Sequence, residues 1–270
     1  MAAEKRAAAV WNDVQDIRVR SPLVHNITNY VVMNTTANAL LALGASPVMA
    51  HAGEEVEEMA GIASALVLNI GTLSSRWIDA MLKAASVAGR RGVPIVLDPV
   101  GAGATRFRTS TAHRLLLETP PTILRGNASE IRALVSAEQG TKGVDSTRRA
   151  EEALEAAQAL SRRFNCIVTV SGPVDLVVSP DAVLRISNGH PMMPRVTGLG
   201  CTASALTGAF AAVNPSPLLA AAHAMAAMGI AGEIAAARSA GPGSFQVNFL
   251  DALYLLQEAD IHERLKVEEA

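Results

Sequence analysis

The sequence predicts an α/β protein with a mainly parallel central sheet and helices on both faces. Two observations carry that expectation. Short β-branched runs alternate with longer stretches of helical periodicity, the βαβ order that builds parallel sheets. Nearly every short run is apolar throughout, as a strand reads when both its faces are covered. The chain has 270 residues, enough to bury a large core, and no linker or internal repeat interrupts the pattern. One domain over residues 1–270 is therefore expected.

In chain order, "SPVMA" (46–50), "ALVLNI" (65–70), "PIVLDPV" (94–100), "TILRGN" (122–127) and "CIVTVSG" (166–172) read as strands. Between them, residues 74–92 carry helical spacing and end on Arg90, Arg91 and Gly92, a C-terminal signature. Residues 145–165 carry it too, opening with Asp145 and Ser146 as candidate caps. "DLVVSP" followed by "AVLRIS" predicts a hairpin at one sheet edge. After Gly200 the pattern is helical almost to the end, with a break at 240–246.

Composition narrows the function. Half the residues are hydrophobic, 18% are charged and only 3% aromatic, so the core is built from Ala, Val, Leu, Ile and Met. Net charge is −2 and neither Lys nor Arg forms a run, which argues against nucleic acid and for a small-molecule ligand. The apolar stretch 218–237 is mostly Ala and contains His223 and Glu233. It suits a buried helix better than a membrane span. The first twenty residues scatter acids and bases through apolar positions, unlike a signal peptide. Two cysteines without C-x-x-C or metal spacing fit a reduced, cytoplasmic setting.

Several site signatures are missing: G-x-x-x-x-G-K-[ST], G-x-G-x-x-G after a strand, H-E-x-x-H and G-x-S-x-G. If phosphate is handled here, a P-loop does not handle it. Ligands of open parallel sheets sit beyond the carboxyl ends of the strands, so polar residues there are the candidates. Asp98 closes an apolar run before Pro99 and two glycines, and reads equally as a site residue or a turn-forming Asp. Asn127 with Glu130 has capping-box spacing, and on local pattern the cap is the better reading. Arg125 at a strand end is costly unless paired or facing an anion. Ser171 ends another strand.

"RVTGLGCTASALTGAF" (195–210) is the most informative stretch. Gly198 and Gly200 permit backbone geometries that expose successive N–H groups, and a helix starting near Cys201 adds its positive end. Such a turn holds phosphate or developing oxyanion charge, although helix-entry glycine and a buried cysteine are the ordinary readings of the same residues. A helix N-terminus also lowers a thiol's pKa, which would let a partly ionised Cys201 accept a proton.

Together, "SPLVHNITNYVVMNTTANALLALGASPVMAHA", "ALVLNIGTL", "VLDPVGAGATRFR", "RGNASEI", "KGVD", "VTGLGC" and "GPGSFQ" resemble the hydroxyethylthiazole kinase family. This is the thiamine-salvage branch of the ribokinase-like superfamily. The resemblance covers nearly the whole chain, in matching order and approximate spacing. It implies a ribokinase-like fold and transfer of the ATP γ-phosphoryl group, with Mg²⁺, to the primary alcohol of 4-methyl-5-(2-hydroxyethyl)thiazole. It further implies that Asn29, Met49 and the Val31 backbone contact the thiazole. Gly198, Gly200 and Cys201 correspond to the anion hole and proton acceptor, Arg125 and Ser171 to nucleotide contacts, and Asp98 and Glu130 to acidic positions that order Mg²⁺ and its water. A homotrimer with thiazole sites between subunits is implied as well.

Two positions depart from the family's usual pattern. Leu199 replaces a small residue or Thr, with an expected effect on pocket width or turn geometry, and Ser171 stands where Thr is common. Rival readings within the fold are a hydroxymethylpyrimidine kinase and a nicotinamide-nucleotide repair dehydratase. The Asn29 and Met49 segments joined to G-L-G-C argue against both. A non-catalytic thiazole or nucleotide sensor would be favoured by loss of Asp98, Glu130 or Cys201, and all three are present.

Overall fold

The computed structural model describes residues 2–139 and 146–269. Nine strands form one sheet: β1 (Leu23–Ile27), β2 (Ser46–Val48), β3 (Ala65–Asn69), β4 (Ile95–Asp98), β5 (Ile123–Asn127), β6 (Ile167–Ser171), β7 (Asp175–Val178), β8 (Val183–Ile186) and β9 (Val267–Glu269). Eleven helices accompany them among the described residues: α1 (Ala2–Arg20), α2 (Met33–Leu43), α3 (Val56–Ile62), α4 (Ser75–Arg91), α5 (Arg106–Glu118), α6 (Ala128–Gln139), α7 (Ser146–Phe164), α8 (Leu199–Ala211), α9 (Pro217–Ala237), α10 (Pro242–Leu255) and α11 (Glu258–Arg264).

The strand order is β2-β1-β3-β4-β5-β6-β7-β8-β9. Strands β1 to β6 pair in parallel, and β7, β8 and β9 extend the sheet in antiparallel fashion. The chain steps from β1 outward to the edge strand β2, then returns to lay β3 on the other side of β1. The crevice between β1 and β3 is thus a topological switch point, where ligands of open α/β sheets bind.

Alternate strand residues feed two separate cores. Val24, Val67, Val96, Ile123 and Val177 face one way and pack with residues of α1, α2, α8, α9 and α10. Leu66, Leu68, Leu97, Leu124 and Val168 face the other way, against α4, α5, α6 and α7. This two-sided burial explains why the strands read as continuously apolar. Helix α9 is long and apolar enough to cross a membrane, yet 78% of its apolar window is buried inside the protein. Its near-uniform hydrophobicity follows from packing on several sides.

The predicted strands and hairpin form, each trimmed by one to three residues. Two strands and one break were not expected. Strand β1 was hidden because His25 and Asn26 interrupt its apolar run, although both are buried. Strand β9 is three residues long and polar. The C-terminal helical region breaks at 212–216 as well as before Pro242, because Ser216 caps α9. The candidate cap Asp145 and the "KGVD" segment (142–145) lie outside the described residues.

Candidate active site

The centre forms where β1, β3, β4 and β5 end and α8 begins. Helix α8 starts at Leu199, two residues earlier than expected, with Gly198 as its N-cap at φ +86°. That conformation favours glycine, and a Cβ there would lie 2.7 Å from Val32 Cγ1. The first helical bond is Thr202 N–H to Gly198 O at 2.8 Å. The amides of Leu199, Gly200 and Cys201 therefore precede the helical ladder, at the positive end of the helix. The Leu199 side chain is buried in the core, beside residues of α2 and α10.

A chain of hydrogen bonds crosses the strand ends beneath this turn. Asn29, just beyond β1, donates from Nδ2 to Asn69 Oδ1 at 2.9 Å and to Cys201 Sγ at 3.4 Å. Asn69 donates from its own Nδ2 to Asp98 Oδ2 at 2.8 Å, and Ser204 Oγ donates to the same oxygen at 2.6 Å. Arg125 Nη1 donates to Gly200 O at 2.8 Å and stands 3.9 Å from Asp98 Oδ2. Asn69 and Ser204 escaped the sequence reading, though Asn69 obeys the strand-end rule that picked out Asp98. Ser204 lies one helical turn beyond Cys201, on the same face.

Burial dominates the electrostatics. Asp98 is 1% exposed, and desolvation pushes its carboxyl up to about 6 against the pull of Arg125, Ser204 and Asn69. Asp175, beside Arg125 on the other side, is likewise raised by burial to about 6. The guanidinium thus has Asp98 and the Gly200 carbonyl as partners and feels the Asp175 charge. This offsets much of the cost expected of a cation at this strand end, although the buried Arg125 Nε has no hydrogen-bond partner among the described residues. For Cys201 the structure corrects the expected depression of the thiol: desolvation raises it, and the Asp98 charge raises it further. The hydrogen bonds from Asn29 and Asn69 and the Arg125 charge only partly offset this. The net direction is upward, opposite to the one expected from the helix end.

Glu130 serves both as a cap and as a bridge. Its Oε2 accepts Asn127 N–H at 2.8 Å, while Asn127 Oδ1 accepts Glu130 N–H at 3.0 Å, a reciprocal capping box. Its Oε1 accepts Gly101 N–H at 2.8 Å, fastening the loop after Asp98. Between that loop and the start of α6 lies an open cleft of about 550 Å³, lined by Gly101–Ala104, Asn127, Ser129, Glu130, Arg132 and Ala133. Ser171, register partner of Asn127, ends β6 and makes a long 3.4 Å hydrogen bond to Gly126 O.

The residues matched to the thiazole follow neighbouring strands, Asn29 after β1 and Met49 after β2. Asn29 is buried in the centre of its own chain, touching Cys201. Met49 follows edge strand β2, three inter-strand spacings from β4, or roughly 14 Å. The loop of Met49 is held by His25 Nε2, which donates to Ala50 O at 2.8 Å, and by His51 Nδ1 to Met49 O at 3.1 Å. Tyr30 and Val31 are each 64% exposed despite their apolar surface.

A Mg²⁺ ion finds no preformed cage here, and among the described residues no cluster of three or more His, Cys, Asp or Glu is placed to hold a metal. Asp98 Oδ2 and both Glu130 oxygens are already engaged by protein donors. This donor set fits an ion carried mainly by nucleotide phosphates and water, the usual habit of Mg²⁺, and not direct ligation by both carboxylates.

An open parallel sheet with a helix-opening glycine turn over a buried acid, a cation beneath the turn and a nucleotide-sized cleft defines a small-molecule kinase of the ribokinase-like class. Pyridoxal kinase from Staphylococcus aureus in complex with ADP shares this fold with a TM-score of 0.65 at 15% identity, covering 92% of this chain and 99% of that one. The model of the hydroxyethylthiazole kinase family matches residues 14–259. A hydroxyethylthiazole kinase from Syntrophus aciditrophicus is 63% identical over 258 residues, covering 95% of this chain and 96% of that relative. One from Nitratidesulfovibrio vulgaris (strain DSM 19637 / Miyazaki F) is 58% identical, covering 96% and 97%. The structure of the hydroxyethylthiazole kinase protein from Pyrococcus horikoshii OT3 superposes with a TM-score of 0.91 at 49% identity, over 97% and 99% of the two chains. The chain belongs to the hydroxyethylthiazole kinase family.

Proposed function

We propose that the centre around Cys201 transfers the γ-phosphoryl group of ATP to the primary hydroxyl of 4-methyl-5-(2-hydroxyethyl)thiazole, as a step of thiamine salvage. The observation that carries this reading is the meeting of Asn29, Cys201 and the amides of the Gly198 turn at the β1/β3 switch point. ATP occupies the cleft beside Gly101–Ala104, with its phosphates directed toward the turn. The amides of Leu199, Gly200 and Cys201 face the transferred phosphoryl group, and Arg125 beneath them supplies positive charge without occupying the reacting position.

Phosphoryl transfer through a loose transition state needs positioning and charge neutralisation more than a strong base. A thiol that is mostly neutral is sufficient under those terms, and the Asn29 N–H favours its ionised form. Asn69 orients the Asn29 amide through the oxygen it accepts on, and the same side chain holds Asp98. Glu130 would hold Mg²⁺ through water, with Asp98 acting from behind. The ion, when bound, neutralises charge on the phosphates.

The reading includes a homotrimer whose thiazole sites lie between subunits. Its support is the distance of Met49 from its own Asp98 and the exposure of Tyr30 and Val31 beside Asn29. It also includes one kinase domain over residues 1–270 and a cytoplasmic setting, in keeping with two free thiols, Cys166 and Cys201. Incubating the protein with Mg·ATP and either the thiazole alcohol or hydroxymethylpyrimidine, then weighing the products, tests it. A thiazole phosphate that disappears in excess EDTA supports the reading. Phosphorylation of the pyrimidine alone, or binding without turnover, overturns it.

A further inference from the structure

We propose that Arg108 is a positioning residue for phosphoryl transfer, fixing the loop on the acceptor side of the centre against the loop on the nucleotide side. Its guanidinium converges on three backbone carbonyls. Nη1 donates to Ile70 O at 2.8 Å and to Val100 O at 2.7 Å, while Nη2 donates to Gly71 O at 2.5 Å. Ile70 and Gly71 follow β3; Val100 follows β4. The last backbone bond between these two segments is Ile70 N–H to Asp98 O at 3.2 Å, and beyond it Arg108 spans the two loops.

Each loop is bonded in turn to one half of the reaction centre. Gly71 N–H donates to Asn69 Oδ1 at 2.9 Å, the oxygen that also accepts from Asn29. On the other side, Gly101 N–H is held by Glu130, which lines the nucleotide cleft. Gly101 packs directly on Arg108, since a Cβ there would stand 3.0 Å from Arg108 Cδ. Arg108 therefore closes a continuous path from Asn29 and Cys201 to Glu130 and the cleft.

The position is electrostatically expensive, which argues for a purpose. Arg108 lies in the first turn of α5, where Thr105 Oγ1 accepts its N–H at 3.2 Å. A cation at a helix N-terminus opposes the helix dipole. Three converging carbonyls compensate for that, and they would otherwise present negative potential toward a polyanionic nucleotide. A fork of fixed geometry can bond carbonyls from two loops at once, whereas an ammonium is a single point charge.

The inference rests on the phosphoryl-transfer reading, so native turnover of the thiazole alcohol in the same assay tests that reading separately. Arg108→Met and Arg108→Lys are compared with native enzyme for kcat and for KM of both substrates, with circular dichroism to verify folding. Folded Arg108→Met is expected to lose on the order of 10² in kcat, the scale of a misplacement of about 1 Å, with both KM values within about threefold. Arg108→Lys should recover part of the loss. A folded Arg108→Met with kcat within threefold of native overturns the proposal. So does a large rise in KM for ATP at unchanged kcat, which would make Arg108 a nucleotide contact. If the Met variant does not fold, Arg108→Lys decides: native kcat overturns the proposal, and a lowered kcat at unchanged KM supports it.

Discussion

Asn69 and Asp98 end adjacent parallel strands as register partners, and the Asn69 amide donates to Asp98 Oδ2 at 2.8 Å. Paired strand ends thus deliver a buried carboxylate and the amide that orients it, with no loop needed to bring them together. The arrangement makes Asp98 costly to the fold and useful to the site.

The cost can be measured. The folded carboxyl is raised from an ordinary 3.8 to about 6, so the stability tied to its neutral form is fully present below 3.8 and lost as pH rises through about 6. A shift of about two units corresponds to about 3 kcal/mol at neutral pH. Asp98→Asn, whose oxygen can still accept from Asn69 and Ser204, is expected to melt above native enzyme at pH 7.5 and close to it at pH 4, while activity falls at least about 10²-fold. Thermal melts at the two pH values check this; a lower melting temperature for the variant at pH 7.5 contradicts it.

Cys201 gives a second prediction, in the rate profile. Because burial and Asp98 raise the thiol, only a small fraction is thiolate near pH 7, and thiol-dependent turnover should climb with pH through the alkaline range. The charged groups facing it are Asp98 on β4 and Arg125 on β5. Cys201→Ala is expected to lose about 10² to 10⁴ in rate, retain activity above background and lose the alkaline climb. Cys201→Asp should keep substantial activity. A Cys201→Ala profile parallel to native would remove the thiol from proton transfer.

These two acids and the thiol show what the sequence could and could not display. Asp98, Glu130 and the Gly198 turn are visible as candidates at strand ends and a helix start. Local pattern leaves Asp98 even between site and turn and favours a cap at Glu130, and only the family resemblance gives them roles. Asn69 sits in an apolar run much like that of Asp98, yet a lone strand-end amide carries little signal until its partners are known. Arg108 reads as an ordinary surface helix residue, and only the fold brings Ile70, Gly71 and Val100 around it. The thiol's direction of shift was misjudged because local sequence shows the helix end but not the desolvation imposed by α8 packing on the sheet.

The proposed sharing of the thiazole site between subunits yields the third prediction. Asn29 and Cys201 touch within one chain, so variants at these two positions cannot complement each other through a shared site. In the proposed reading Met49, after the edge strand β2, is the residue that serves a neighbour. Met49→Glu and Asp98→Asn chains, each nearly inactive, should regain activity when mixed under conditions that exchange subunits. In a trimer of that kind, some sites combine a native Met49 segment with a native Asp98. Verified mixed trimers without recovery would place Met49 in the site of its own chain.

Gly71 offers the sharpest test of the Asn29 amide. A Cβ at residue 71 would stand 2.5 Å from Asn29 Nδ2 and 2.7 Å from its Cγ. Asn29 Cβ would stand 2.8 Å away as well and does not turn with the amide, so the Asn29 amide is displaced and the loop at residue 71 must also shift. Gly71→Ala should therefore break the contacts from Asn29 to Asn69 and Cys201 together, at a modest stability cost of about 1–3 kcal/mol. Asn29→Ala removes the same contacts directly and relieves the clash with Nδ2 and Cγ, though its Cβ still crowds a methyl group at residue 71. Both substitutions remove the contacts of the Asn29 amide, so their effects on kcat should be non-additive, with the double variant losing less than the sum of the two single losses. Full additivity across the four proteins would mean that Gly71 affects the rate by another route, such as the bond from its N–H to Asn69 Oδ1.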